Sequence, residues 1–302
     1  MSVLSEKKLP RWRKLPGSEA YRAESYLRER EKFCVAASSR FLRLEESRGH
    51  IWQLSSREGE KISALLLHSR GSLFPIFDRN TRALKGESGS VDFWRQVPGP
   101  RFLSRFSGKL PVHSVQGLRE DVELFENLMR KQDYFAVEQI DYDLMSLDSQ
   151  TRLKVREIGP VGLTLRPPLP KDEESLFALQ SSYEQEEVLS VKSVFNPAVC
   201  RLNLQRLLSR ERILVAVLDG QVVGKINTSA RSFTRYQIGG VYVRPDCRGL
   251  GIGAMMTAFF TRSLLIQGNG VTLFVKKRNA AAREMYRKAG FSTLADYRIT
   301  YY

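Results

Sequence analysis

Arg248-Gly249-Leu250-Gly251-Ile252-Gly253 stands directly after the strand-like run Ile238–Val243 and directly before a long apolar helical pattern. A strand, a turn of small residues and a helix N-terminus leave several backbone N–H groups without intrahelical partners. The helix dipole adds partial positive charge at the same end, so the turn suits a phosphate or pyrophosphate. Glycine lets phosphate oxygens approach the backbone with no Cβ in the way, and Arg248 adds a charged donor at the rim. A Gly-x-Gly loop by itself is a weak signal that an ordinary tight turn also gives, so the surrounding elements decide.

Ile238-Gly239-Gly240-Val241-Tyr242-Val243 reads as a buried strand with a glycine pair inside it, the mark of a bulge or of close approach by another backbone-like group. After the loop, Leu250, Met255, Ala258, Phe259, Arg262 and Leu265 recur at helical spacing as far as Gln267-Gly268-Asn269-Gly270. Residues 271–275 form a short apolar strand. A helix over residues 280–289 ends at Gly290, a good C-terminal cap. The chain closes on an alternating strand over residues 296–302. Lys225, on a strand over residues 222–229, reads as a solvated edge residue or as a contact for an acidic acceptor group.

The loop, its strand and a second set of residues together resemble the acetyl-CoA-binding core of the GCN5-related N-acetyltransferase (GNAT) superfamily. Arg248, Gly251 and Gly253 fill the family pattern (Gln or Arg)-x-x-Gly-x-(Gly or Ala) after the fourth strand; Asn279, Tyr286, Gly290 and Phe291 match its second element. The resemblance covers residues 160 to 302. It implies an α/β (α+β) class with a GNAT fold, a mixed, largely antiparallel central sheet flanked by helices. It also implies an acetyl-CoA-dependent N-acetyltransferase in which a primary amine attacks the thioester directly, with no metal. Val241, Tyr242 and Val243 would lie along the pantetheine arm, the two valines bonding it through their backbones. Arg248, Gly249, Leu250, Gly251, Ile252, Gly253 and Ala254 would cradle the pyrophosphate, and Asn279 would contact the cofactor through its amide. A backbone N–H of the fourth strand would stabilise the oxyanion. Tyr286 takes the family position of the acid that protonates the departing thiolate; a phenol with an ordinary pKa of about 10 is protonated at neutral pH. The plain alternative is a helix tyrosine packed on the sheet.

The base is less legible. His50, His68 and His113 all precede residue 160, and the strand position where many relatives carry an acid holds Gln237. The nearest acidic cluster is Tyr183-Glu184-Gln185-Glu186-Glu187, at the end of a helix that in this fold flanks the acceptor site. Glu186 or Glu187 attracts a cationic amine or takes its proton through water; the bland alternative is a solvated helix face.

At 302 residues the chain has room for two domains. No apolar run reaches the roughly eighteen residues of a membrane span, and residues 1–16 are polar and basic, unlike a secretory signal. Cys34, Cys200 and Cys247 are odd in number and lack metal-type spacing, which fits a reducing cytoplasm. Net charge is +15, and residues 191–302 carry 18 Lys plus Arg against 5 Asp plus Glu. A polyanionic cofactor accounts for part of this excess. Lys276, Lys277, Arg278, Arg283, Arg287 and Lys288 stand where its adenosine phosphates would be met. The rival class is a non-catalytic CoA-sensing module whose basic surface binds a partner or nucleic acid. Against nucleic acid, the chain has no aromatic-basic single-strand motif, zinc spacing or obvious recognition helix. The partner that the resemblance implies is an amine acceptor, a small molecule or a protein.

Residues 1–158 read as a separate α+β domain and residues 159–302 as the transferase domain. The first half offers helices over residues 17–32 and 33–44 and strands over 50–56, 62–68 and 72–78. A linker over 80–100, a strand over 111–115, a helix over 119–131 and a strand over 134–147 follow. This order echoes that of the transferase half and suggests a degenerate GNAT-like unit. Ser114-Val115-Gln116-Gly117-Leu118 lacks the arginine and second glycine of a phosphate loop, so no cofactor is assigned there. The whole chain also resembles uncharacterised bacterial acetyltransferases with an extra N-terminal domain.

Overall fold

The computed structural model describes residues 11–44, 50–55, 61–78, 112–131, 133–148, 153–154, 159–190, 193–268 and 270–302. Residues 57–60, read from the sequence as a turn, the linker at 80–100, and residues 152 and 155–158 of the junction read at 152–161 lie outside the described residues. In chain order the elements of the first half are β1 (Arg11–Lys14), α1 (Ala20–Arg28), α2 (Val35–Leu42), β2 (His50–Ser55), β3 (Ala64–Ser69), β4 (Ser72–Phe77), β5 (Ser114–Leu118), α3 (Arg119–Arg130) and β6 (Glu138–Leu147). The second half holds β7 (Leu163–Arg166), α4 (Glu173–Tyr183), α5 (Pro197–Arg210), β8 (Ile213–Leu218), β9 (Gln221–Arg231), β10 (Arg235–Val243), α6 (Ile252–Leu265), β11 (Gly270–Lys276), α7 (Ala280–Lys288) and β12 (Ser292–Tyr301). Two compact units result, each discontinuous in sequence. One is Met1–Arg30, Arg40–Asp141 and Asp296–Tyr302; the other is Glu31–Ser39 and Tyr142–Ala295. Among the described residues no helix is long and apolar enough to cross a membrane.

In the first unit β1, β2, β3 and β4 pair antiparallel in order, and β4 then pairs parallel with β5. The end of the chain completes this sheet, Tyr297 to Tyr301 pairing antiparallel with β5. Trp52, Leu66, Leu73, Val115, Val122, Phe125 and Met129 close the core under α3. Parallel pairing runs from Ser72↔Ser114, and Gly117 stays close to β4: a Cβ there would meet the Pro75 carbonyl at 3.1 Å. Proline offers no N–H at that point.

The second unit builds the order β6-β11-β10-β9-β8-β7, with β10 and β11 its parallel neighbours. This is the mixed, largely antiparallel sheet that the resemblance implies. Alternation along β9 sends Ile226 into the cluster beneath α6 and Lys225 to the opposite face, beside Tyr183 of α4. The start of α4 is fixed by Asp172, whose carboxylate accepts both Arg166 Nη1 (2.6 Å) and Nη2 (3.0 Å) and the Leu169 amide (2.7 Å). β1, β7, β8 and α5 have no counterpart in the sequence reading. For α5 a signal was present: Asn196 caps it, accepting from the amides of Ala198 and Val199, and Pro197 follows at the first helical position.

Glu31 ties a distant segment to the β9–β10 hairpin. Its buried carboxylate accepts Ser232 Oγ (2.5 Å), Thr234 N (2.6 Å), Thr234 Oγ1 (2.7 Å) and Arg235 N (3.1 Å). Burial alone would raise this carboxyl, but the four donors outweigh it and hold the group below its ordinary value. The stability it contributes is therefore full above the unfolded pKa of about 4.3 and is lost as pH falls through the folded value. Glu31→Ala should cost about 1–3 kcal/mol at neutral pH in urea unfolding, since buried donors lose their acceptor. The difference from wild type should shrink on acidification; an undiminished difference at pH 3 would contradict this role.

Candidate functional site

The backbone of β10 shapes the site. Arg235↔Gly270 through Ile238↔Leu273 pair β10 with β11, and the register ends there. On its other edge β10 continues beside β9 as far as Val243↔Gly224. That ladder passes from Gly239↔Asn227 to Tyr242↔Lys225, so Gly240 and Val241 oppose the single residue Ile226. This is a two-against-one bulge. Gly240 sits at φ +59°, and a Cβ there would lie 2.1 Å from Asn227 Oδ1 and 2.8 Å from Lys225 Nζ. Both conditions demand glycine. The parting of β10 from β11 leaves Val241 to Val243 on an edge able to receive an extended, amide-bearing ligand.

The loop follows at once. Gly251 is the N-cap of α6 at φ 80° with no side-chain cap bond, and the first helical bond runs from Met255 N to Gly251 O (3.1 Å). Gly249 has φ +83°, and an added Cβ at either glycine would meet nothing within 4 Å. An uncapped helix start flanked by two left-handed glycines in open space fits a pyrophosphate. Leu250 is exposed, Ile252 is buried in the core, and Gly253 and Ala254 are half-buried on the first turn. Cys247 is buried in the same core, as a passive small residue would be. Arg248 reaches over the Tyr242 ring (5.2 Å to the centroid), donates from Nε to Val243 O (3.0 Å) and pairs through Nη2 with Glu186 Oε2 (2.9 Å).

The acidic cluster forms a π-helical turn, Glu184–Val188, continuing α4 and closed by Leu189 N to Glu184 O (2.9 Å). Such wide turns are rare; here it carries Glu186 and Glu187 to different partners. Glu186 accepts Tyr242 Oη (2.5 Å) besides Arg248. The tyrosine bond lowers its pKa most, burial opposes, and Arg248 lowers it further. A carboxylate so held is a weak proton acceptor at neutral pH. Glu187 pairs with the buried Lys276 (3.1 Å) and receives Asn279 Nδ2 at 3.5 Å. Asn279 also caps α7, its Oδ1 accepting the Ala282 amide (3.1 Å). Tyr286, on α7, is 6% exposed with its ring edge-on to Phe291 (5.9 Å). Burial, then the nearby Tyr183 and Glu187, push its phenol above the ordinary range, so it stays protonated.

Lys225 departs from the expected solvated edge position. β9 is an interior strand between β8 and β10, and Lys225 is fully buried. Its Nζ donates to Gly240 O (3.1 Å) and Asn227 Oδ1 (3.3 Å) and lies 4.7 Å over the Tyr183 ring. Burial pulls its pKa down to about 7, against Glu184 and Cys200, which raise it. The basic residues assigned to adenosine phosphates also have partners. Lys277 and Arg283 share Asp143 (2.8 and 2.6 Å), and Arg287 and Lys288 meet Glu284 (2.8 and 3.6 Å). Among the described residues no group of three or more His, Cys, Asp or Glu is arranged to hold a metal ion.

Residues 176–291 match the model of the Acetyltransferase (GNAT) family. No curated protein matches the chain. Among solved structures, a Drosophila protein is similar at TM-score 0.65 and 12% identity, over 97% of this chain and 99% of that one. A GCN5-related N-acetyltransferase from Sphaerobacter thermophilus is similar at 0.58 and 18%, over 99% and 96%. A tandem GNAT protein from the clavulanic acid biosynthesis pathway is similar at 0.55 and 11%, over 96% and 97%. At these identities the likeness is one of fold.

Gly251 and Gly220 share φ +80° and open surroundings, but only Gly251 starts α6. Leucine at either position should cost about 1–2 kcal/mol of left-handed strain. Gly251→Leu should also abolish calorimetric binding of CoA, and Gly220→Leu should leave it intact. Equal affinities in the two variants would refute the loop as the phosphate cradle.

Proposed function

We propose, from the premise that residues 176–291 form a GNAT acetyltransferase domain, that the protein is an acetyl-CoA-dependent N-acetyltransferase. The acceptor is a primary amine of a small molecule or a protein. The observation that carries this is the parting of β10 from β11 after Ile238, on the strand that leads to an uncapped helix start with two left-handed glycines. Acetyl-CoA supplies the activated acyl group. Residues 248–254 hold its pyrophosphate, and Val241 to Val243 present their backbones to the pantetheine arm. Asn279 fixes the start of α7 with its Nδ2 toward Glu187, and the same amide would contact the cofactor. Holding amine and thioester in line supplies much of the acceleration.

Two carboxylates then take different parts. Glu186, committed to Arg248 and Tyr242, positions the arginine at the rim of the cradle. Glu187 is the group that meets the acceptor ammonium and accepts its proton directly or through water. Tyr286, kept protonated by burial, donates to the departing thiolate. Residues 159–302 are the transferase domain in this reading. Residues 1–158 are a GNAT-like second domain without a cradle, its order of β-meander, parallel strand and helix repeating that of the second half. The free thiols of Cys34, Cys200 and Cys247 support placement in the cytoplasm. Ion pairing of Lys277, Arg283, Arg287 and Lys288 counts against the rival reading of a basic nucleic-acid-binding surface.

An amine panel read by release of free CoA identifies the acceptor and tests the reading; silence across proteins and small amines, with CoA bound, would favour the non-catalytic module. Once an acceptor is known, Tyr286→Phe should slow turnover by roughly 10²-fold or more at nearly unchanged acetyl-CoA affinity. Equal turnover would remove Tyr286 from the mechanism. Glu187→Gln should raise the acceptor KM about five- to tenfold, and Glu186→Gln should instead change the affinity for CoA, each near the worth of one charged contact. The reverse pattern would contradict the division of roles.

A further inference from the structure

We infer that Lys225 is a positioning residue for acyl transfer: by holding the Gly240 carbonyl on the face that carries Tyr183 it fixes the Val241 N–H on the opposite side of that peptide, in the stretch of β10 beyond its pairing with β11. The inference rests on the acetyltransferase reading and adds a residue that the family motifs do not contain. A lysine with no exposed surface is rare and costly unless its head is satisfied. Here the satisfaction comes mainly from backbone. Among the described residues no carboxylate stands within ion-pair distance of Nζ; Glu184 acts on it only through space. The ammonium instead donates to Gly240 O (3.1 Å) and Asn227 Oδ1 (3.3 Å), and Asn227 is itself held by its Nδ2 on Thr228 O (2.9 Å).

The consequence follows from peptide geometry. No cis bond is present among the described residues, so Gly240 O and the Val241 N–H lie on opposite sides of one planar unit. A carbonyl drawn to Lys225, on the face that carries Tyr183, sends that N–H the other way. The constraint falls on the bulge itself, since Gly240 and Val241 are the residues the ladder skips. Gly240 is required because any Cβ would strike the Asn227 and Lys225 heads. Lysine retains an N–H in either protonation state, so the hold does not depend on its charge. A directed N–H on this edge is suited to the thioester oxygen, where charge grows during attack.

CoA lacks that oxygen and acetyl-CoA has it, so the two ligands separate a positioning role from a merely structural one. Lys225→Met keeps length and apolar volume but removes the donor. It should weaken acetyl-CoA about fivefold in calorimetry, the worth of one hydrogen bond, with CoA changed less than twofold. Lys225→Gln, which keeps a donor, should recover part of the difference. Equal loss for both ligands, or no loss for either, overturns the proposal. If the substituted chains do not fold, 15N-valine labelling of the wild type decides. The Val241 amide resonance should shift on adding acetyl-CoA by more than on adding CoA; identical shifts overturn the proposal. A wild-type protein that binds neither ligand overturns this inference and the proposed function together; binding of both without discrimination at Val241 overturns the inference alone.

Discussion

A central strand that pairs on both edges at its start and on one edge at its end is the constraint on which the second unit depends. β10 could not part from β11 at Ile238 unless its later backbone groups had somewhere else to go. The β9 ladder takes some of them, the Lys225 ammonium takes the Gly240 carbonyl, and Arg248 takes that of Val243. Each of these in turn needs a partner: Asn227 and the Tyr183 ring for Lys225, Glu186 for Arg248. The opening is therefore a network of satisfied polar groups rather than a simple gap. The same contacts bring the π-helical turn, with Glu186 and Glu187, beside β10 and the start of α7.

Much of this was legible in the chain. Glycine is selected by backbone angle, so the pairs at 239–240 and 249–251 advertise a bulge and a left-handed turn directly. Asn279 and Gly290 bracket α7 as caps do, and Tyr286 falls on its buried face. What could not be read depends on contacts far apart in sequence. Nothing local to Glu31 announces that it will cap residues 232–235. Lys225 was hidden by a general rule that strand lysines face solvent, which fails for a strand with neighbours on both edges. The neighbouring residues Val222, Val223 and Ile226 did carry a signal, because an apolar run around one lysine suits a strand covered on both faces. The partners of the cations Lys276, Lys277 and Arg283 were hidden for a related reason: the carboxylates that engage them, Glu187 and Asp143, lie far off in the chain.

The first unit repeats the order of the second. β4 meets β5 in parallel as β10 meets β11, and a helix follows each, α3 and α7. Yet Pro75 stands where an N–H would be wanted, and Gly117 lies against its carbonyl. Glycine serves a different need in each unit. At 240 it accommodates the bulge of β10, and at 117 it permits close contact with the neighbouring strand β4. Both units are discontinuous in sequence, the last strand of the chain completing the first.

The central claim is that one edge of β10 and the loop after it form a site for a CoA thioester, and that the first unit has none. Calorimetric titration of the wild-type protein with acetyl-CoA tests it most directly. The account predicts saturable binding of one acetyl-CoA per chain. Two molecules per chain, or none, would contradict it.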